Sequence, residues 1–167
     1  MIAQPARRIW NIALTITMLG LIAACSSQPL SQVDQPSRSV QVVYSHSIGE
    51  RAAAVALNQV GVPYRYGGTT TSGFDCSGLM QYAYLRVGKQ VPRTTGQLWS
   101  STTTVRRENM RIGDLLFFRI DGKMSHVGMY IGGQRFVHAP ATGRTVSVAS
   151  LNAPYYAAAF IRAGRPK

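Results

Sequence analysis

The hydrophobic period of the chain changes between its two halves. Apolar residues recur at helical spacing as far as Val87, whereas from Asp114 onward they come in short runs and alternations suited to strands. Ser47-Ile48-Gly49-Glu50 has the Ser-x-x-Glu pattern of a capping box, and the helix-forming run from Ala52 to Val60 stops at Gly61 with Pro63 just beyond, predicting a first helix. Leu79, Met80, Ala83, Tyr84 and Val87 predict a second, running from about Cys76 to Val87 and ended by Gly88. Val91 to Trp99 reads as a loop and one short helix, because Pro92 bars helix just before it. Strands are expected at 114–118, 126–131 and 134–139, the last two joined as a hairpin through Gly132-Gly133, with further strands at 145–148 and 156–161. Helices first and antiparallel strands afterwards predict an α+β domain, helices packed on a sheet.

The segment before Ser47 has another character. Arg7 and Arg8 precede an apolar run of about 16 residues, short against the roughly 20 of a membrane span, and Ile22-Ala23-Ala24-Cys25 closes it. This resembles a bacterial lipoprotein signal peptide, which implies removal of residues 1–24 and a lipid on Cys25. Ser26 after that cysteine resembles the sorting pattern for the inner, periplasmic face of the outer membrane. Residues 25–46, rich in Ser, Gln and Pro, read as a flexible tether of roughly 25 Å root-mean-square span. The folded domain is expected over 47–167, and the chain is expected to act as a monomer.

The chain has two cysteines. With Cys25 lipidated, Cys76 has no partner for a disulfide in an oxidising compartment, so its thiol needs another purpose. It sits where a Gly-rich polar stretch gives way to the second helix. Unpaired N–H groups and the helix dipole there favour a thiolate, so Cys76 is expected to ionise below an ordinary thiol. His126 and His138 fall on the two strands of the hairpin, equidistant from its turn and so close to directly opposite. Nucleophile, base and a third group orienting the base would then be at hand. Zinc on Cys76, His126 and His138 is the alternative, but no fourth ligand and no metal-like local spacing accompanies them. No metal or other cofactor is called for.

Six stretches carry a resemblance: Pro63-Tyr64-Arg65-Tyr66-Gly67-Gly68, Phe74-Asp75-Cys76-Ser77-Gly78, Pro92-Arg93-Thr94-Thr95, Gly113 to Phe118, Ser125 to Tyr130, and Phe136-Val137-His138-Ala139. In this order, over nearly all of 48–161, they resemble the NlpC-type papain-like cysteine peptidases of bacterial cell walls. The resemblance implies a permuted papain-like fold and hydrolysis of amide bonds in peptidoglycan stem peptides or cross-links. It implies Cys76 as nucleophile, His126 as base and His138 as the residue orienting it. Tyr64, Asp75 and Ser77 would lie in the substrate site, although Asp75 also suits a helix N-cap.

Charge supports that address. The formal net charge is +12, and removing 1–24 takes away two arginines and no acids, leaving 16 basic and 6 acidic residues and a net +10. Such a chain is drawn to anionic surfaces, and wall peptides carry carboxylates. Nucleic acid is excluded as partner, since no basic helix, zinc spacing or aromatic nucleic-acid motif is present. A catalytically inactive wall-binding relative is disfavoured by the intact Cys76, His126 and His138. A thiol acyltransferase or amidase acting on lipid is disfavoured because no long apolar insertion lies near the cysteine.

Overall fold

The computed structural model describes residues 46–167. The predicted signal peptide, Cys25 with its expected lipid and the expected tether, as far as residue 45, lie outside the described residues. Helix α1 is Ile48–Leu57, capped by Ser47 with the expected reciprocal bonds to Glu50 at 2.7 and 3.2 Å. It ends three residues before Val60, the predicted limit, and a turn then leads to Gly61, whose φ of 94° only glycine adopts freely. A small hairpin follows, β1 Thr69–Thr70 and β2 Gly73–Phe74, in the stretch read from sequence as irregular. Then come α2 Cys76–Arg86, α3 Thr95–Ser101, β3 Thr102–Val105, β4 Leu115–Ile120, β5 Lys123–Gly132, β6 Arg135–His138, β7 Ser147–Ser150, α4 Pro154–Ala159 and β8 Phe160–Pro166.

Strands β3 to β8 form one antiparallel sheet in the order β3-β8-β4-β5-β6-β7. The last strand therefore inserts beside β4. Residues 156–159, expected as strand, are helix instead. Pro154 at the first turn favours helix initiation, and the alanines at 157–159 are strong helix formers, so the extended chain starts only at Phe160.

The run Leu115-Leu116-Phe117-Phe118 is buried throughout because both faces of the sheet are covered. Leu115 and Phe117 join Leu79, Met80 and Ala83 of α2 and Ala52, Ala53 and Ala56 of α1 in the larger core. Leu116 and Phe118 face the other way, toward Phe136, Leu151 and Ala163. Alanines on α1 let it lie close to its neighbours, and Gly49 touches the backbone of Ile112 and Gly113 so closely that a methyl group there would sit 2.6 Å from the Ile112 carbonyl.

The histidine hairpin is built differently from the symmetric one expected. Its turn is Gly133-Gln134, both with positive φ (58° and 57°), a two-residue mirror-image turn, and the ladder is irregular between Tyr130 and Gly132. Met129 therefore pairs with Val137, and continuing that register sets Gly128, not His126, opposite His138. His126 lies two residues along on the same face, a diagonal neighbour. Gly128 makes the diagonal contact possible. A side chain there would strike the Phe136 ring at 2.6 Å, within the space shared by the two imidazoles and their aromatic neighbours.

Candidate active site

Cys76 is the first residue of α2, and Asp75 is its N-cap, accepting from the Gly78 N–H at 2.7 Å. Asp75 does more than cap. Its carboxylate also accepts from the Gly67 N–H at 3.0 Å, from the Ser77 hydroxyl at 3.2 Å and from two guanidinium nitrogens of Arg93 at 3.0 and 2.6 Å. Burial alone would raise this carboxyl, but Arg93 and the two N–H groups together hold it below the usual carboxylate range. Ser77 is buried and receives a further bond from Arg93 at 2.9 Å. Both side chains are thus engaged in locking the loop before Cys76 to the loop before α3. Arg93 went unassigned in the sequence, because a carboxylate partner 18 residues away is a tertiary fact.

Removing Asp75 should be costly to folding. Asp75→Ala loses the cap and leaves Arg93 unpaired beside a buried hydroxyl, an expected loss of about 2–4 kcal/mol. Asp75→Asn, which can still cap, should lose less. Urea unfolding measures both, and an Ala variant as stable as the parent would contradict this account of the helix start.

The Cys76 sulfur lies 3.7 Å from the Thr95 hydroxyl and 3.8 Å from the Ser125 carbonyl oxygen. Behind it, His126 Nε2 is 2.9 Å from His138 Nδ1, so one N–H is shared between the two rings. His138 Nε2 in turn stands 3.4 Å from the Tyr156 hydroxyl. This leaves Nδ1 of His126 as the nitrogen that can take a proton from a thiol. Cys76, His126, His138 and Tyr64 line one open cleft of ≈ 600 Å³, with Arg144, Tyr155 and Tyr156 on its wall. A second lobe of ≈ 530 Å³ continues past Cys76 and Tyr64 to Tyr66, Arg93 and Thr95. Every predicted site residue of the domain is therefore at this cleft. Tyr156 has no role in the sequence reading because its segment reads as strand; Thr95 and Ser125 stand in two of the six resembling stretches but have no role there, since neither residue type carries a signal alone.

Burial sets the protonation of the site. It pushes His126 down to about 4 and His138, with help from neighbouring His126 and Arg144, down to about 3, so both are neutral at pH 7. The expected depression of the Cys76 thiol is not found. Burial pushes it up, outweighing the bond to Thr95 and the N–H groups of Val127 and Ser77. The resting pair is therefore thiol and neutral imidazole.

Two outcomes follow for pH. A histidine whose pKa is lowered stays a base to lower pH, so the acidic limb of kcat/KM should fall near pH 4 rather than near 6.5. Iodoacetamide labelling of Cys76 should rise with pH only above the range of free cysteine, about 8.5. An acidic limb near 6.5, or rapid labelling at pH 6, would contradict these environments.

Among the described residues no group of three or more His, Cys, Asp or Glu could hold a metal ion, and no helix is long and apolar enough to cross a membrane.

Helices packed against an antiparallel sheet, with a cysteine at a helix start and a histidine pair on adjacent strands, define the class of papain-like thiol hydrolase folds. The chain belongs to the NlpC/P60 family, whose model matches residues 61–165. It is 37% identical over 126 residues to the murein DD-endopeptidase MepH of Escherichia coli, covering 70% of this chain and 46% of that one. To the murein DD-endopeptidase MepS/murein LD-carboxypeptidase of the same species it is 42% identical over 106 residues, covering 63% and 56%. A crystal structure described as similar to lipoprotein, NLP/P60 family, from Staphylococcus aureus superimposes with a TM-score of 0.64 at 33% identity, over 71% of this chain and 41% of that one. The chain spans about half the length of the curated relatives it matches.

Proposed function

We propose that the protein is a peptidoglycan endopeptidase that hydrolyses amide bonds in wall stem peptides or their cross-links through Cys76, His126 and His138. The observation that carries this reading is the cleft in which Cys76 opens beside two histidines coupled at 2.9 Å. Relatives named as murein endopeptidases supply the substrate class.

In the proposed reaction His126 Nδ1 takes the thiol proton as the sulfur attacks the scissile carbonyl carbon. The oxyanion that forms meets the Cys76 N–H, one of the first-turn donors that a helix leaves unpaired. Collapse breaks the C–N bond, the amine leaves with the proton held by His126, and a thioester remains on Cys76. Water, deprotonated by the same nitrogen, then attacks the thioester carbonyl carbon; the C–S bond breaks, the acid leaves and the sulfur takes the proton back from His126. His138 accepts the Nε2 hydrogen of His126 throughout and so keeps the ring in the tautomer that leaves Nδ1 free. Tyr64 bounds both lobes at the sulfur and would position the peptide. Asp75 and Ser77 contribute through Arg93, by fixing the loop edges between which it lies. Mass spectrometry of purified wall fragments after incubation tests the reading. New free amines and carboxyls at a stem-peptide or cross-link bond are expected, and unchanged fragments would refute it.

We further propose that a lipid on Cys25 holds the enzyme at the envelope membrane, on the periplasmic face of the outer membrane. The cleavage box in the sequence and the lipoprotein description of the Staphylococcus aureus relative support this. Cys25→Ser, made with residues 1–24 replaced by an ordinary cleavable export signal, should give a folded enzyme that leaves the membrane fraction and keeps its activity on soluble fragments, because both core clusters are built from residues between Ala52 and Ala163. Fractionation of cells making either form decides it. Wild-type protein found free in the periplasm would defeat the anchor and leave the catalytic reading standing.

A further inference from the structure

The surface changes character at the end of α2 away from Cys76. Two exposed apolar side chains, Ile48 (43% accessible) and Ile112 (37%), line a hollow of ≈ 300 Å³ together with Ser47, Lys89 and Arg111. An adjoining hollow shares Arg165 with it and adds Arg106 and Lys167. Of the acidic groups nearby, Glu50 enters no ion pair among the described residues and accepts from the Ser47 N–H at 2.7 Å, and two are neutralised by arginines. Asp114 is buried and takes Arg165 at 2.8 Å, and Glu108 takes Arg106 at 3.0 Å. Lys89, Arg111 and Lys167 enter no ion pair among the described residues. Since residues 46–167 carry 15 basic and 5 acidic residues, positive charge alone does not single out this face. Two exposed isoleucines lining one hollow with Lys89 and Arg111, neither cation in an ion pair, do.

We propose that this face docks the domain on an anionic phospholipid surface. Ile48 and Ile112 enter the headgroup region while Lys89, Arg111 and Lys167 meet lipid phosphates. The proposal rests on the reading of the protein as an envelope enzyme anchored through Cys25, and two features of the fold favour it. The chain enters the described domain at Ser47, on the wall of the hollow itself, so a tether from a lipidated Cys25 joins the domain at the rim of this face. Cys76 begins α2 and Lys89 follows its end, which at 1.5 Å per residue separates cleft and patch by about 15 Å along an 11-residue helix. Strand β4 repeats the polarity, with Asp114 before its start near the patch and Phe118 paired with His126 near the cleft. Docked in this way, the domain presents its cleft away from the lipid, where the wall lies.

The test uses residues 25–167 carrying Cys25→Ser, so that neither the apolar leader nor an acyl group contributes, and its partitioning onto vesicles of phosphatidylethanolamine with about one fifth phosphatidylglycerol or of phosphatidylcholine alone. Binding to the anionic vesicles only is expected. The double variant Lys89→Glu, Arg111→Glu should weaken it about tenfold or more. Arg119→Glu with Lys123→Glu makes the same change of charge at the opposite end of β4 and should weaken it far less. Ile112→Ser, which leaves the charge untouched, should reduce partitioning several-fold at moderate salt. Circular dichroism confirms that each variant is folded. Equal losses from both charge-reversed pairs, no wild-type binding to anionic vesicles, or a patch that affects binding to isolated wall but not to vesicles would each overturn the proposal. Absence of lipid on Cys25 in metabolic labelling would refute the anchor without moving the vesicle result, so the two failures are distinguishable.

Discussion

Cys76→Ala should fold like the parent and lose wall-peptide hydrolysis by on the order of 10⁴-fold or more, as expected when a nucleophile that acts as a unit with its base is removed. Folding should survive because the sulfur's two hydrogen-bond contacts are long, at 3.7 and 3.8 Å, the β-carbon that packs on the core is kept, and the cap that starts α2 belongs to Asp75. Alanine is also a good residue at that position. The loss should lie in kcat, since the cleft walls that bind peptide remain. Chromatography of muropeptides after long incubation provides the measurement. Cleavage at even a few per cent of the parental rate, with the protein confirmed free of wild-type contamination, would mean that another group attacks the bond.

His126→Ala should cost nearly as much as Cys76→Ala, because the thiol is protonated at rest and cannot ionise without a base beside it. His138→Ala should cost less, roughly 10- to 1,000-fold, since it removes only the group that fixes the His126 tautomer. The double histidine variant should be no worse than His126→Ala alone, because the 2.9 Å bond makes the two act as one device. Each single variant also strips a partner from a buried ring and should lower stability by about 1–3 kcal/mol, visible in urea unfolding. Full activity in His138→Ala, or additive losses in the double variant, would show that the pair is not coupled in function.

How much of this could be read from the chain depends on how local each signal is. The capping box at Ser47 and Glu50, the apolar period of α2 and the double-faced burial of Leu115 to Phe118 are local, and each element stands where its pattern placed it. The His126–His138 contact was foreseen for a reason that needed correcting. Symmetry about Gly132-Gly133 set them opposite, whereas the turn at Gly133-Gln134 and the irregularity before Gly132 make them diagonal across Gly128. Side chains on one face at a two-residue offset still meet, so the pairing survived the error. Residues 156–159 read as strand because Tyr156 and Phe160, both strand-favouring, bracket the alanines, whereas Pro154 and those three helix-forming alanines decide for helix. The ionisation of Cys76 was misjudged for another reason. A helix N-terminus is visible in sequence, but the burial that outweighs it is assembled from α3 and β5, distant in the chain. Arg93, although part of one of the six resembling stretches, has no role legible in sequence on the same ground, its carboxylate partner being brought to it only by the fold.

The most direct measurement uses the Cys25→Ser protein, in which Cys76 is the only remaining cysteine of the two in the chain. Iodoacetamide is added in increments, intact-mass spectrometry reads the fraction of chains alkylated, and hydrolysis of cross-linked wall fragments is assayed on the same samples. Activity should fall in proportion to the alkylated fraction and vanish at one adduct per chain. A fully alkylated protein that still cleaves its substrate would contradict the assignment of Cys76 as the nucleophile.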